Sequence, residues 1–140
     1  MKIAIIVDSF PALYETFILN QITGLMDLGH QVEIFAGGGP NDSRMHPEVE
    51  QYHLLDHTHY IHTKPVNKLK RLMGALSIVP ACLKRNPRAT LRSLNMIRYG
   101  AEALSLNLLY KLEGFLAAGP FDILSCHFGP NGLTGILLKE

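Results

Sequence analysis

Ile3-Ala4-Ile5-Ile6-Val7 and, one helix later, Gln31-Val32-Glu33-Ile34-Phe35-Ala36 decide how this chain folds. The first is a short, unbroken apolar run, the pattern of a strand buried on both faces. From about Tyr14 to Leu28, Phe17, Ile18, Ile22, Leu25 and Met26 recur near a spacing of 3.6, which predicts a helix. Gly29 then stops it as a left-handed cap. The second run reads as another strand, ended by Gly37-Gly38-Gly39-Pro40. Strand, helix and strand over so short a span make a βαβ unit, whose crossover is right-handed.

Working outward, residues Asn41 to Asp56 are polar and acidic and read as loop. His59-Tyr60-Ile61-His62 is a weak third strand. Two helices are predicted, about Val66 to Leu83 and Pro87 to Ala118, the second opened by Pro87 and closed by Gly119-Pro120. Phe121 to Ser125 is a fourth strand, and Asn131 to Lys139 opens a last helix. The expectation is an α/β fold: a three-layer, Rossmann-like parallel sheet of strand order 3-2-1-4. At 140 residues the chain is expected to form one domain, 1–140. Nearly half its residues are apolar and 18% are charged, as in an ordinary globular protein.

A net charge of +1 gives no global argument for nucleic acid. The two cysteines, Cys82 and Cys126, are too few for a disulfide framework, which points to a reducing cytoplasm. The first residues enter a strand at once and do not read as a signal peptide. No apolar run approaches the roughly 20 residues of a membrane span.

Two segments carry the candidate chemistry. Phe10-Pro11-Ala12-Leu13-Tyr14-Glu15-Thr16-Phe17-Ile18 follows the first strand, and Cys126-His127-Phe128-Gly129-Pro130-Asn131-Gly132 follows the fourth. Open α/β sheets bind ligands at the carboxyl ends of their strands. Glu15 and Thr16 stand at a helix start, where free N–H groups attract a phosphate or a sugar hydroxyl; equally, either residue could simply cap the helix. His127 can hydrogen-bond a hydroxyl or carry a proton. Gly129, Pro130, Asn131 and Gly132 form a turn that lets backbone approach a ligand, or an ordinary strand-to-helix loop with Asn131 as N-cap. A Gly-x-Gly-x-x-Gly fingerprint and a Walker lysine are both missing, so dinucleotide and ATP readings lose their main support.

His53, His57, His59 and His62 cluster in sequence, but no Cys accompanies them and Asp56 is the one neighbouring carboxylate. They are expected to form a solvated edge strand, with no metal and no cofactor. Between Lys64 and Arg98 stand nine of the thirteen Lys and Arg residues and no Asp or Glu. Leu69, Leu72, Met73, Leu76, Ile78, Val79 and Leu83 are interleaved with them. Such a stretch fits an anionic membrane surface, with Lys68, Arg71, Lys84 and Arg85 as contacts, or a solvated basic face over a core.

Together the end segments resemble the amino-terminal domain of family 4 retaining glycosyltransferases, of the exopolysaccharide and colanic-acid type. That group opens with a strand and Phe-Pro-x-x-Ser-Glu-Thr-Phe-Ile, similar to Phe10 to Ile18. Its helix ends in Leu-x-x-Gly-His-x-Val, similar to Met26 to Val32, and a later His-x-His-Phe-Gly is similar to Ser125 to Gly129. Tyr14 replaces the usual Ser, and Ser125 replaces the first His, so only His127 carries over. The resemblance implies the amino-terminal half of a GT-B fold, the acceptor side of an enzyme moving a sugar from a nucleotide-sugar donor to a glycan or lipid-linked acceptor.

In that scheme His127 is the catalytic candidate, and Glu15, Thr16, Phe128, Gly129 and Asn131 bind substrate. The carboxy-terminal nucleotide-sugar domain is absent from these 140 residues, so the isolated chain is expected to have little or no activity. The complete enzyme would be cytoplasmic, peripheral on the inner face of the membrane. A non-catalytic, flavodoxin-like binding or regulatory domain is the alternative. Without a fifth strand beside the fourth, Ile136, Leu137 and Leu138 would lack a partner. The chain is then expected to self-associate through residues 121–140, most simply as a two-fold dimer.

Overall fold

β1 (Lys2–Val7) is an inner strand of a four-stranded, all-parallel sheet. It pairs with β2 (Gln31–Ala36) on one side and β4 (Ile123–Cys126) on the other, and β2 pairs with β3 (Thr58–Tyr60). The order β3-β2-β1-β4 is the one expected from the sequence, with Ile5 opposite both Ile34 and Ser125. The computed structural model describes residues 1–40, 44–61 and 64–139. The chain divides into two compact units, Met1–Tyr60 with Pro120–Gly132, and Ile61–Gly119 with Leu133–Glu140.

In the first unit α1 (Thr16–Asp27) makes the crossover from β1 to β2. Its buried residues Ile18, Leu19 and Ile22 join Ile3, Ile5, Val7, Val32 and Ile34 in one core. Ala4 and Ile6, on the opposite face of β1, are also fully buried, as the unbroken apolar run predicts. Gly29 takes φ +77° after α1, while the N–H of Gly29 donates to Met26 O and that of His30 to Leu25 O. This left-handed cap satisfies carbonyls that the helix end would leave open.

The loop expected over 41–56 is partly helical. α2 (Pro47–Gln51) starts on Pro47, and a 3-10 turn covers Leu54–His57. Val49 and Leu54 anchor them in the core, and Glu48 and Glu50 favour the positive end of α2. Residues 41–43 lie outside the described residues. β3 is Thr58–Tyr60 where 59–62 was expected. His57 belongs to the 3-10 turn and does not share a strand face with His59, while His62 lies outside the described residues.

The second unit is helical. Its α3 (Lys68–Arg85) is capped by Asn67, whose side chain accepts from the N–H of Leu69 and Lys70. Asn86 ends α3 and caps α4 (Pro87–Ser93), accepting from Ala89 N. The single helix expected over 87–118 is four: α4, α5 (Met96–Tyr99), α6 (Ala101–Leu104) and α7 (Asn107–Ala118). Asn95 stops the run by capping α5, Gly100 breaks it at φ +52°, and Leu106 breaks it again at φ +59°. A side chain that accepts from the backbone and a residue at positive φ each offer the chain a way out of a helix.

α8 (Gly129–Lys139) begins two residues before the expected start, so Asn131 lies inside its first turn and is not its N-cap. The expectation that Leu137 lacks a partner is overturned: it is fully buried with Leu108, Leu112 and Tyr99, and Leu138 packs on that cluster. Ile136 is exposed. Among the described residues no helix is long and apolar enough to cross a membrane.

Candidate functional site

The carboxyl edge of the sheet, within the first unit, is built by the loops after β1, β2 and β4 and by the end of β3. After β1 the chain leaves through Asp8 and the cis Phe10–Pro11 peptide. The N–H of Gly37 donates to Val7 O, and that of Phe10 donates to Gly38 O, so the loops after β1 and β2 run against each other. A Cβ on Gly37 would stand 2.9 Å from Asp8 O, which leaves room for glycine alone at that approach. The Tyr60 hydroxyl, at the end of β3, donates to Phe10 O at 3.2 Å.

On the β4 side, the N–H of His127 donates to Ile6 O at 2.9 Å, one residue past the strand's end. That bond brings the imidazole to the mouth of the edge. Its ring lies 5.8 Å from the ring of Phe17, in the first turn of α1. Its Nε2 atom is buried and has no hydrogen-bond partner among the described residues. Buried polar atoms are normally satisfied, so this one calls for an explanation, and a ligand group or a catalytic role at the sheet edge is one.

Asn131 is buried, and its amide nitrogen donates to Asp8 Oδ1 at 2.9 Å and to His127 O at 2.8 Å. These bonds tie the turn after β4 to the end of β1. Phe128, exposed, takes φ +69°, in a region that favours glycine. Gly129 is exposed beside it. Glu15 is half-buried and lines a small hollow of about 10 Å³ with Phe10, Leu13, Arg44 and His46. There a ring nitrogen of His46, Nε2, sits 2.9 Å from Leu13 O. Thr16 is exposed, and no side chain caps α1. The residue of this turn that reaches His127 is Phe17.

Gly37 escaped the sequence reading as part of the edge, and Phe17 and Asp8, although they stand within or beside the segment after β1, were not among the candidate site residues. Phe17 reads there as one more apolar position of α1, and Gly37 as a mere strand terminator. The one legible signal was Asp8, a carboxylate directly after an apolar strand. His59 lies at another place: its Nε2 is 2.7 Å from Glu33 Oε2, and its ring stacks on Phe35. Among the described residues no group of three or more His, Cys, Asp or Glu side chains could hold a metal ion. Of the basic candidates on α3, Lys68, Lys84 and Arg85 are exposed, while Arg71 is half-buried and donates to Pro65 O and Val66 O.

No family model matches the chain, and no solved structure does. Curated relatives do. WcaL of Salmonella typhimurium, named as a colanic acid biosynthesis glycosyltransferase, is 36% identical over 143 residues. The Escherichia coli protein of the same name is 35% identical over 142 residues. AmsK of Erwinia amylovora, an amylovoran biosynthesis glycosyltransferase, is 35% identical over 146 residues. Each alignment covers 100% of this chain and 34% of the relative, so the chain spans about a third of the length of the curated relatives it matches. The chain is a distant homologue of the colanic-acid and exopolysaccharide glycosyltransferases.

Proposed function

We propose that this chain is the acceptor-side domain of a retaining glycosyltransferase that passes a sugar from a nucleotide-sugar donor to a glycan or lipid-linked acceptor. The observation that carries the reading is the homology along the whole chain to exopolysaccharide glycosyltransferases. It favours the transferase over the flavodoxin-like, non-catalytic alternative. The 3-2-1-4 sheet and the unpartnered Nε2 of His127 at its carboxyl edge support it.

In this reading His127 hydrogen-bonds a substrate hydroxyl through Nε2, and Phe17 gives the imidazole an apolar wall. The open first turn of α1, with Glu15 and Thr16, and the turn of Phe128 and Gly129 flank the sugar. Asn131 positions that turn by holding Asp8. Transfer also needs positive charge against the departing diphosphate. The reading assigns this to a second, nucleotide-sugar domain, without which the 140 residues are inactive. The enzyme works at the cytoplasmic face of the membrane, where Lys68, Arg71, Lys84 and Arg85 meet anionic lipid. The open edge of β4 is where the sheet continues, through a further strand or a second copy.

The test is His127→Ala in the full-length protein, with sugar transfer and thermal unfolding measured side by side. Loss of a positioned proton carrier costs about 100-fold or more in turnover, with the melting temperature nearly unchanged. Parallel loss of folding and activity would make His127 structural and overturn the assignment.

A further inference from the structure

α3 has two apolar faces. Ala75, Ile78, Val79 and Cys82 face inward and pack with Leu109 and Tyr110 of α7. Leu69, Leu72, Met73 and Leu76 recur at the i, i+3, i+4, i+7 spacing on the opposite side and are 67%, 54%, 64% and 66% exposed. A helix of a globular protein turns such a stripe toward a core. A contiguous apolar surface rimmed by polar groups marks an interaction site. Here the rim is cationic: Lys68, Lys70 and Lys84 are all exposed.

At the start of α3 a shallow hollow of about 550 Å³ opens between Lys68, Arg71 and Leu72 on one side and Leu104 and Ser105 on the other. Lys64 stands beside it, its Nζ donating to Ser105 Oγ at 2.9 Å. Leu104, like Leu72, is mostly exposed. Two cations, Lys68 and Arg71, thus line a hollow whose other walls are largely apolar, with Lys64 bonded to Ser105 at its side and an uncovered apolar stripe next to it. Cation over apolar surface is the pattern that a phospholipid headgroup and its first methylenes complement.

We infer that the outer face of α3 docks on an anionic bilayer, Leu69, Leu72, Met73 and Leu76 entering the headgroup–acyl boundary while the hollow between α3 and α6 receives a lipid phosphate. The inference deepens the membrane contact proposed above and rests on that part alone, independently of sugar transfer. Charge selects the bilayer over a second copy of the chain. Residues 64–98 hold no acid, so a two-fold pairing of this face would set cations against cations.

The chain has no tryptophan, so Leu69→Trp or Leu76→Trp introduces a single emission reporter at an exposed position. With vesicles rich in phosphatidylglycerol at low salt, the emission moves to the blue and is quenched by lipids brominated on the acyl chain. Pure phosphatidylcholine vesicles and inorganic phosphate leave it unmoved. Lys68→Gln weakens vesicle binding by about fivefold, the usual worth of one basic residue at such a surface, with the circular dichroism unchanged. Salt-sensitive binding without a blue shift refutes insertion and leaves the surface contact standing. A blue shift that grows with protein concentration in the absence of lipid assigns the face to a second copy and overturns the inference. Absence of binding removes both membrane statements and leaves the transferase reading intact.

Discussion

α1 and α3 carry apolar residues at the same helical spacing and turn them in opposite directions. α1 buries its large side chains, Ile18, Leu19 and Ile22, against the branched residues of β1 and β2. α3 buries Ala75 and Cys82 and leaves Leu69, Leu72, Met73 and Leu76 in solvent. The difference lies in what each helix meets. A sheet face of Ile and Val leaves room between rows for a large side chain. α7 presents Tyr110 to α3 at close range, with its hydroxyl donating to Arg71 O at 2.7 Å. A Cβ on Gly74 would stand 2.3 Å from that hydroxyl oxygen, so at this point of α3 the neighbour leaves room for glycine alone, while Ile78 and Val79 further along pack only part-buried. Periodicity shows that a helix has a face; the neighbour's bulk decides which face goes inward.

The largest expected effect tests that difference directly. Ile22, fully buried on α1, should cost about 2–5 kcal/mol when changed to Ala. Leu76→Ala on α3 should stay within about 0.5 kcal/mol, as exposed substitutions do. Urea unfolding of both variants measures this, and equal costs would mean that the outer face of α3 is covered.

The glycines inside the two helices sharpen the contrast, with opposite signs. Gly74→Ala should destabilise by about 1–3 kcal/mol, because Tyr110 must move and its bond to Arg71 O is strained or lost. Gly24, in α1, has nothing within 4 Å of an added Cβ, so Gly24→Ala should stabilise by about 0.5–1 kcal/mol. Shifts of the same sign would break the comparison.

The smallest effect belongs to the tether of α1. The Tyr52 hydroxyl donates to both carboxylate oxygens of Asp27, at 3.0 and 3.2 Å. That bond holds its pKa above the ordinary 10.0, with desolvation and the negative charges of Asp27 and Glu48 acting the same way. A group whose pKa is raised on folding contributes stability that is complete below its unfolded value and is lost as pH rises through the folded one. Melting temperatures of the parent chain should therefore fall more steeply above pH 10 than those of Tyr52→Phe. Identical slopes would show that the bond contributes nothing in solution.

Much of this fold was legible because its signals are local. The continuous apolar run of β1, the helical spacing of α1 and the stop at Gly29 each act within a few residues, and together they produce a parallel βαβ unit. The placement of His127 at the sheet's carboxyl edge followed from the strand that precedes it. Other features have no local signature. Val49 and Leu54 look isolated in a polar stretch until the core of the first unit receives them, and that burial accompanies the helical turns at 47–51 and 54–57.

The sequence by itself determined the α/β class, the strand order and which loops reach the candidate site, since periodicity and turn residues act between neighbours along the chain. Only the tertiary structure decided the rest. It bound Asn131 to Asp8 across 123 positions, set Phe17 against His127, buried Leu137 among the helices and turned the leucines of α3 outward. Each of these depends on the shape and polarity of a partner remote in sequence, and no pattern within a single segment encodes what that segment will meet.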